Sequence, residues 1–264
     1  MKRFWLAMIA WAATLISVQY VTVHAQQRGP APAAAAPAAT ANSAVPRMAD
    51  GHPDLSGVWW GGADVGGRGF GRGVPATSYT SLYKPEAAER AKKLSDKDDP
   101  ALKCIPTAFG TMGTSLYSVG AVGQIIATPK WIVFLQETYH GFQLIPTDGR
   151  PHRPDIPPAY RGDSVGHWEG DIFVVDTTNY TDDTWMFAEG RVSFHSDAMH
   201  VVERYHRIDQ NTLEVEATVE DPKVLTAPWV VPKQKLVLAP FDQIMALNCV
   251  GTESDALMQG AQKK

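Results

Sequence analysis

Residues 199–220, with the sequence MHVVERYHRIDQNTLEVEATVE, decide the fold. Two runs rich in Val, Tyr and Thr flank the turn-forming residues at 209–211, which is the pattern of two adjacent antiparallel strands. In the second run apolar and polar residues alternate strictly, and this alternation predicts one buried face. The residues of that predicted face are Leu213, Val215, Ala217 and Val219.

Similar runs of β-branched and aromatic residues lie on both sides of this segment, separated by turn signals such as Glu169-Gly170-Asp171. Residues 85–94 are the one predicted helix, with Pro85 in its first turn. Sequential strands indicate an up-and-down barrel or a sandwich, and we favour an all-β, antiparallel up-and-down β-barrel because closure leaves no long edge exposed. The predicted strands are 130–137, 139–145, 164–168, 172–178, 199–208, 213–220, 229–238 and 241–250.

Composition limits the class of protein. The chain has 264 residues, of which 44% are hydrophobic and 20% charged, and its formal net charge is −4. This balance is globular and mildly acidic, which argues against a disordered chain and against a protein that neutralises many phosphates. The RGFGRG segment at 68–73 is too short and carries too few charges to bind RNA. We therefore expect no nucleic-acid partner.

The N-terminal region predicts export and leaves one long domain. Lys2 and Arg3 precede an apolar run at 4–23, and Val23 and Ala25 have the spacing of a signal-peptide cleavage site. An uncleaved membrane anchor is the alternative, because the run is long enough to span a bilayer. Residues 26–47 are an Ala/Pro-rich linker, and 48–264 are a single β-barrel domain with this long N-terminal extension. After cleavage of residues 1–25 we expect a periplasmic or extracellular protein without stable membrane insertion.

Two cysteines, Cys104 and Cys249, are the whole cysteine content. In an exported chain an even count favours a disulfide, which here would join the start of the domain to its end. Two buried free thiols are the alternative. A pair is too few for a structural zinc site.

Four strings of residues resemble a large, mostly uncharacterised family of exported bacterial proteins. They are PDLSGVW at 53–59, PTDGRPH at 146–152, SVGHWEGD at 164–171 followed by VVDTTN at 174–179, and HSDAMHVVER at 195–204. The resemblance implies an extracytoplasmic protein with a lipocalin-like or calycin-like β-rich body, and it brings no established chemistry. The chain departs from the family at Gln143, where Arg is frequent, and at Gly251, where Glu is frequent.

Two motif-based interpretations are weaker. Residues 162–166 fit G-x-S-x-G around Ser164, with Asp176 and His195 or His200 following. No helix is predicted after Ser164, so we interpret the motif as a turn before a hairpin rather than as a nucleophile. The β-region also holds five histidines, enough for a metal site, but no H-x-H or H-E-x-x-H spacing is present. A metal ion therefore remains an alternative to hydrogen-bonded histidines, and we expect no organic cofactor.

Ionisable residues concentrate near predicted strand ends. A neutral imidazole beside a carboxylate is common equipment for proton transfer near pH 7, and a fixed Arg can hold an anionic oxygen. Cross-strand salt bridges and loop contacts are the structural alternative for each of these residues, and core packing is the alternative for Trp185. The predicted catalytic residues are His140, His195 and Glu203, and the predicted substrate-binding residues are Glu137, Arg150, His152, His200, Arg204 and Trp185.

Two functions follow from these residues. The first is an exported, cofactor-independent enzyme of the lyase, isomerase or hydrolase type, acting on a small polar or aromatic molecule such as a sugar or a phenolic compound. The second is a barrel that only binds and carries a small ligand. An enzyme requires convergent ionisable side chains in the barrel cavity, whereas a carrier has a mostly apolar interior.

Overall fold

A computed structural model describes residues 44–61, 78–108, 122–137, 141–186 and 192–245, which all belong to one compact unit. Their sheet has nine antiparallel strands: β1 Gly57–Trp60, β2 Val122–Ala127, β3 Trp131–Gln136, β4 Phe142–Pro146, β5 Asp163–Glu169, β6 Ile172–Thr178, β7 His200–Arg207, β8 Thr212–Glu220 and β9 Trp229–Leu238. The helix α1 spans Pro85–Ala91. Short 3-10 segments span Tyr79–Leu82, Asp96–Asp98 and Pro100–Lys103.

The strands follow one another around a nearly closed barrel. Successive strands pair from β1 to β4 and from β5 to β9, and β1 pairs with β9 to join the two halves. The strands β4 and β5 are the two ends of this hydrogen-bonded order, and they lie side by side. The predicted all-β, antiparallel up-and-down barrel is therefore confirmed, while the finer lipocalin-like assignment stays a prediction.

Individual contacts, rather than a backbone ladder, close the β4–β5 seam in the described part of the chain. The Gly149 amide donates to the Gly166 carbonyl at 2.9 Å, and Gln143 Nε2 donates to Ser164 Oγ at 3.1 Å. A Cβ atom on Gly166 would come within 2.4 Å of Phe173 and 3.0 Å of Ile145. Because Gly166 has no side chain, β5 can lie close to the buried side chains of Phe173 and Ile145.

Two apolar clusters fill the barrel and one of its ends. The first, which we call the lower cluster, contains Trp59, Phe134, Phe173 and Tyr205 from strands around the whole barrel. The second, the upper cluster, joins Val201 and Trp229 to residues of the segments around α1 and between β6 and β7. Leu213, Val215, Ala217 and Val219 are all buried, as their alternation predicts. Burial of these large side chains supplies most of the favourable free energy of folding.

Several predicted boundaries differ from the structure. The strands β1 and β2 are not among the predicted ones, and residues 241–245 of the last predicted strand are not extended in the sheet. The helix ends at Ala91 instead of residue 94. Arg47, placed in the linker by composition, pairs with Asp171 at 2.7 Å, so the contacts of the folded domain reach at least this far. Residues 1–43, which include the predicted signal peptide, lie outside the described residues.

Substitution of Gly166 by Ala tests the packing at the seam. We expect Gly166→Ala to lower the free energy of unfolding by about 1–3 kcal/mol, because the new methyl group overlaps the buried Phe173 ring. Gly61→Ala is the matched control, since a Cβ there meets nothing within 4 Å. Urea unfolding of both variants measures the difference. Equal stabilities would contradict the tight packing of β5 on Phe173.

Candidate functional site

Six inward-facing polar side chains separate the lower cluster from the upper cluster. Alternate residues of a strand face the barrel interior, and on β7 Glu203 lies between Val201 of the upper cluster and Tyr205 of the lower cluster. Buried or half-buried polar side chains also face inward on β3, β4, β5, β6 and β9. We call this set the polar layer; it consists of Gln136, Gln143, Ser164, Thr177, Glu203 and Gln234.

Glu203 is the carboxyl group of the polar layer, and it is 2% exposed. Burial raises its pKa to about 7, although a hydrogen bond from Tyr205 and the positive charge of Arg161 act in the opposite direction. The Tyr205 hydroxyl donates to Glu203 Oε1 at 2.9 Å. A carboxyl group with this pKa exists in both protonation states near neutral pH, which is the requirement for a general acid or base.

A row of hydroxyl groups runs from the β4–β5 seam into the barrel. Ser164 Oγ and Thr177 Oγ1 are 2.9 Å apart, and Ser164 also accepts from the Gln143 amide. Thr177 in turn hydrogen-bonds Tyr180, whose pKa is raised by burial and by the charge of Glu203. These contacts link the seam to the surroundings of Glu203 through neutral groups.

Arg161 brings a positive charge to the same region. Its guanidinium group lies against Gly141, where a Cβ atom would come within 2.7 Å of Arg161 Nη2. A side chain at position 141 would displace this guanidinium group from the start of β4. The guanidinium charge lowers the pKa of Glu203, which places it within electrostatic reach of the carboxyl group.

Two amide atoms of the polar layer are buried without a hydrogen-bond partner among the described residues. They are Gln136 Nε2, a donor, and Gln143 Oε1, an acceptor. The two side chains are 7% and 9% exposed. An unpaired buried polar group costs roughly 1–3 kcal/mol, so a water molecule or a polar ligand that reaches these two atoms would gain hydrogen bonds.

His195 lies outside the polar layer and has both ring nitrogens engaged. Nδ1 faces the Ser196 carbonyl at 3.0 Å, and Nε2 faces the Thr184 hydroxyl at 2.7 Å. Because Nδ1 must donate to a carbonyl, the tautomer is Nδ1–H and Thr184 donates to Nε2. Burial lowers the pKa of His195. Its ring contacts Tyr180 at a centroid distance of 6.0 Å, so it touches the surroundings of the polar layer without joining it.

Two predicted substrate-binding histidines meet on the outer wall of the barrel. His152, from the loop before β5, lies between Asp163 (3.1 Å) and Asp176 (2.9 Å). His200 on β7 lies between the same Asp176 oxygen (3.0 Å) and Glu220 (3.5 Å). Carboxylates and imidazoles thus alternate across four strands, in a row we call the outer-wall chain. It stabilises the exterior and does not face the barrel interior.

Asp163 is the most buried carboxylate of the outer-wall chain. Burial raises its pKa, but hydrogen bonds from Arg153 and His152 outweigh this effect and hold the pKa below its ordinary value. Arg153 Nη2 donates to Asp163 Oδ1 at 2.8 Å. The carboxylate therefore stays ionised and anchors the loop that carries His152.

The remaining predicted site residues are dispersed. Arg204 pairs with Glu169 at 2.5 Å on the outer wall, and Arg150 pairs with Asp148 at 2.7 Å in an exposed loop. Glu137 is buried and accepts from the Met245 amide at 2.8 Å. Trp185 packs within the upper cluster. Of the predicted set, the structure places Glu203 in the polar layer; His140 lies outside the described residues.

The G-x-S-x-G segment is not the turn that its composition suggests. β5 begins at Asp163, so Ser164 is already part of a strand, and it faces the barrel interior. The described partners of its hydroxyl are Thr177 and Gln143. Asp176 and His200 lie on the opposite side of the wall. The geometry of a serine nucleophile with an imidazole base is not formed by these residues.

Several further findings bear on ligands and location. Among the described residues, no group of three His, Cys, Asp or Glu side chains is arranged to hold a metal ion, and no helix has the length and apolarity to cross a membrane. No free cysteine occurs in the described part of the chain. Cys249 lies outside the described residues, so the expected Cys104–Cys249 bridge stays a prediction.

Comparisons with known proteins were made at three levels. No family model, no curated protein and no solved structure matches this chain. The resemblance based on four sequence strings therefore stays a prediction. The function has to be argued from the polar layer itself.

The polar layer predicts a particular pH dependence of stability. Folding raises the pKa of Glu203 from 4.5 to about 7. The folded chain therefore binds the Glu203 proton more tightly than the unfolded chain does, and this contribution to the free energy of unfolding is complete below pH 4.5. It is lost as the pH rises through about 7. The expected loss is on the order of 3 kcal/mol. Glu203→Gln should remove this dependence, because the amide does not ionise.

Urea unfolding of the wild type and of Glu203→Gln across this pH range measures the effect. Glu216→Gln is the control, because Glu216 is exposed on the outer face of β8 beside Lys233. The wild type and the control should lose stability together as the pH rises. A Glu203→Gln variant that follows the same curve would show that folding does not raise the pKa of Glu203.

His195 should be neutral at pH 7.5, with its proton on Nδ1, because burial lowers its pKa from the ordinary value for histidine. Nitrogen-15 NMR of the imidazole ring distinguishes the two tautomers and the doubly protonated form. A doubly protonated ring at this pH would contradict the structural role that the Thr184 and Ser196 contacts give to His195.

Proposed function

We propose that this protein is an acid–base enzyme of the lyase or isomerase type, with Glu203 as the group that takes and returns a proton. The observation that carries the proposal is the burial of the Glu203 carboxyl inside a layer of polar side chains, where the Tyr205 hydroxyl donates to it. This burial raises the pKa of Glu203 to about 7. Burial of a carboxyl group does not by itself stabilise the folded chain, so stability alone does not explain the position of Glu203. Groups with raised pKa values in closed sites are the usual equipment of proton transfer.

The surroundings of Glu203 suit a proton transfer step. The Tyr205 hydroxyl stabilises the carboxylate form, and the Arg161 charge favours it further. Exclusion of water strengthens both interactions, because the local dielectric constant is low. A substrate proton removed by the ionised carboxyl can be returned to a neighbouring atom by the same group. The substrate class is a small polar or aromatic molecule that fits inside the barrel.

The proposal narrows the roles predicted from the sequence. Glu203 keeps its catalytic role, whereas His195 becomes a positioning residue for the Tyr180 region because both of its nitrogens are engaged. His152, His200 and Arg204 stabilise the outer wall. The catalytic role predicted for His140 stays a prediction.

A carrier that only binds a small ligand is the second candidate, and one observation favours it. Apart from Glu203, the members of the polar layer are amides and hydroxyls, which bind ligands without exchanging protons near neutral pH. In a carrier, Glu203 would hold the ligand by a hydrogen bond. The two candidates differ in whether bound molecules undergo proton exchange.

We also propose that the chain acts after export, in the periplasm or outside the cell. The proposal is supported by the signal-like pattern of residues 1–25 and by the even cysteine count. Small polar molecules of such compartments, including sugars and phenolic compounds, fit the hydrogen-bonding groups of the polar layer. No nucleic-acid partner is proposed, because the chain is mildly acidic.

Proton exchange with solvent tests directly for proton transfer by the protein, whatever overall reaction it catalyses. Dihydroxyacetone, D-xylose and 4-hydroxyphenylacetone are incubated with the protein in deuterated water, and loss of carbon-bound protons is followed by NMR. We expect exchange by the wild type that rises with pH through about 7, as Glu203 ionises. Glu203→Gln should reduce the rate by at least about 100-fold.

Glu216→Gln, on the outer face of β8, is the matched control and should exchange protons at the wild-type rate. Binding of the same compounds is measured by thermal shift. Binding by the wild type without any exchange would favour the carrier. Exchange that is unchanged in Glu203→Gln would refute the role of Glu203.

A further inference from the structure

The two unpaired amide atoms of the polar layer have a defined arrangement. The Gln136 backbone amide donates to the Gly141 carbonyl at 2.9 Å, and Gln143 lies opposite Phe134 in the β3–β4 register. Gln136 and Gln143 are therefore diagonal neighbours on the inward face of two adjacent strands. Diagonal neighbours are roughly 7–8 Å apart at Cα, a span that long side chains reach across.

The orientation of the Gln143 amide is fixed by its partners. Nε2 donates to Ser164 Oγ at 3.1 Å and to the Arg161 carbonyl at 3.5 Å. Rotation of the amide by half a turn would place Oε1 against that carbonyl, and two acceptors repel each other. Oε1 is therefore the atom left to accept a hydrogen bond from another molecule.

The Gln136 amide offers the complementary group. Its Nε2 atom is a donor without a partner among the described residues. Gln136 Nε2 can donate a hydrogen bond and Gln143 Oε1 can accept one. A ligand atom that both accepts and donates can therefore bind the two amides together. A hydroxyl has this property, whereas a carboxylate or a ketone oxygen only accepts and an ammonium group only donates.

We infer that Gln136 and Gln143 bind a hydroxyl group of a neutral ligand, and that the substrates of this site are neutral hydroxylated molecules. The inference rests on the proposed function, because it takes the polar layer as the ligand site. Charge supports neutrality, since an anionic ligand would lie in the same layer as the Glu203 carboxyl and would oppose its ionisation. Sugars, polyols and phenols all carry the required hydroxyl group.

Binding rather than turnover tests the inference. The probes are D-xylose, glycerol and phenol as neutral hydroxyl compounds, and D-xylonate and benzoate as carboxylates, each at up to about 10 mM. Isothermal titration and thermal shift of the full mature chain measure the affinity. We expect a neutral probe to bind, and its carboxylate counterpart to bind at least about tenfold more weakly.

Methionine substitutions test which residues form hydrogen bonds with the hydroxyl group of the ligand. Gln136→Met and Gln143→Met should each weaken binding of the neutral probe by about 3- to 10-fold, because one hydrogen bond is lost. Gln124→Met is the matched control, since Gln124 is on the outer side of β2, where it donates to the Asp242 carbonyl. Because binding is measured without turnover, a wild type that binds the neutral probes but exchanges no protons would refute the proposed catalysis and leave the inference standing.

The stability of the unliganded variant separates recognition from structure. Because Gln136 Nε2 has no described partner, Gln136→Met should unfold at the wild-type temperature or above it in the absence of probe. A lower unfolding temperature would mean that the amide is satisfied within the protein, and this would overturn the inference. Preferential binding of carboxylates, or absence of binding by every neutral probe, would also overturn it.

Discussion

The carboxyl group of Glu203 is buried between two apolar clusters, where bulk water does not solvate it. This constraint explains the polar layer, because a lone buried carboxyl raises the free energy of the folded chain unless other polar groups surround it. Tyr205 donates to the carboxyl, and Arg161 reaches it electrostatically from the seam. Burial nonetheless dominates and raises the pKa to about 7. The group that makes stability depend on pH is therefore also the group to which the proposed function assigns the proton transfer.

Much of the wall is predictable from the sequence because its strands carry regular alternation. The hairpin of β7 and β8 follows directly from the buried residues at every second position of 213–219. β1 escapes prediction, since it has four residues and begins at Gly57, whose φ of 144° is a conformation that side chains disfavour. β2 contains Gly123 and follows a sequence with three further glycines at positions 110, 113 and 120. Short strands with glycine look like loops when only composition is considered.

The candidate site is predictable in part. Glu203 can be identified because a carboxyl on the buried face of a strand demands an explanation, and its inward position follows from the alternation of β7. Gln136 and Gln143 escape prediction, because amides carry no charge and give no signal in a search for ionisable residues. The meeting of His152 with His200 depends on the path of a loop before β5, which periodicity does not determine. Alternation in the sequence shows which face of a strand a side chain occupies. The path of the loops determines which side chains from distant segments come into contact.

The seam between β4 and β5 has a consequence for the motions of the wall. Elsewhere strand-to-strand pairing joins neighbouring strands, with a register shift between β8 and β9, whereas this joint is held by Gln143, Ser164 and a backbone contact at Gly166. Local opening begins where the fewest bonds must break together. Opening along this longitudinal joint therefore breaks few main-chain bonds, and the side chain of Gln143 lies directly at it.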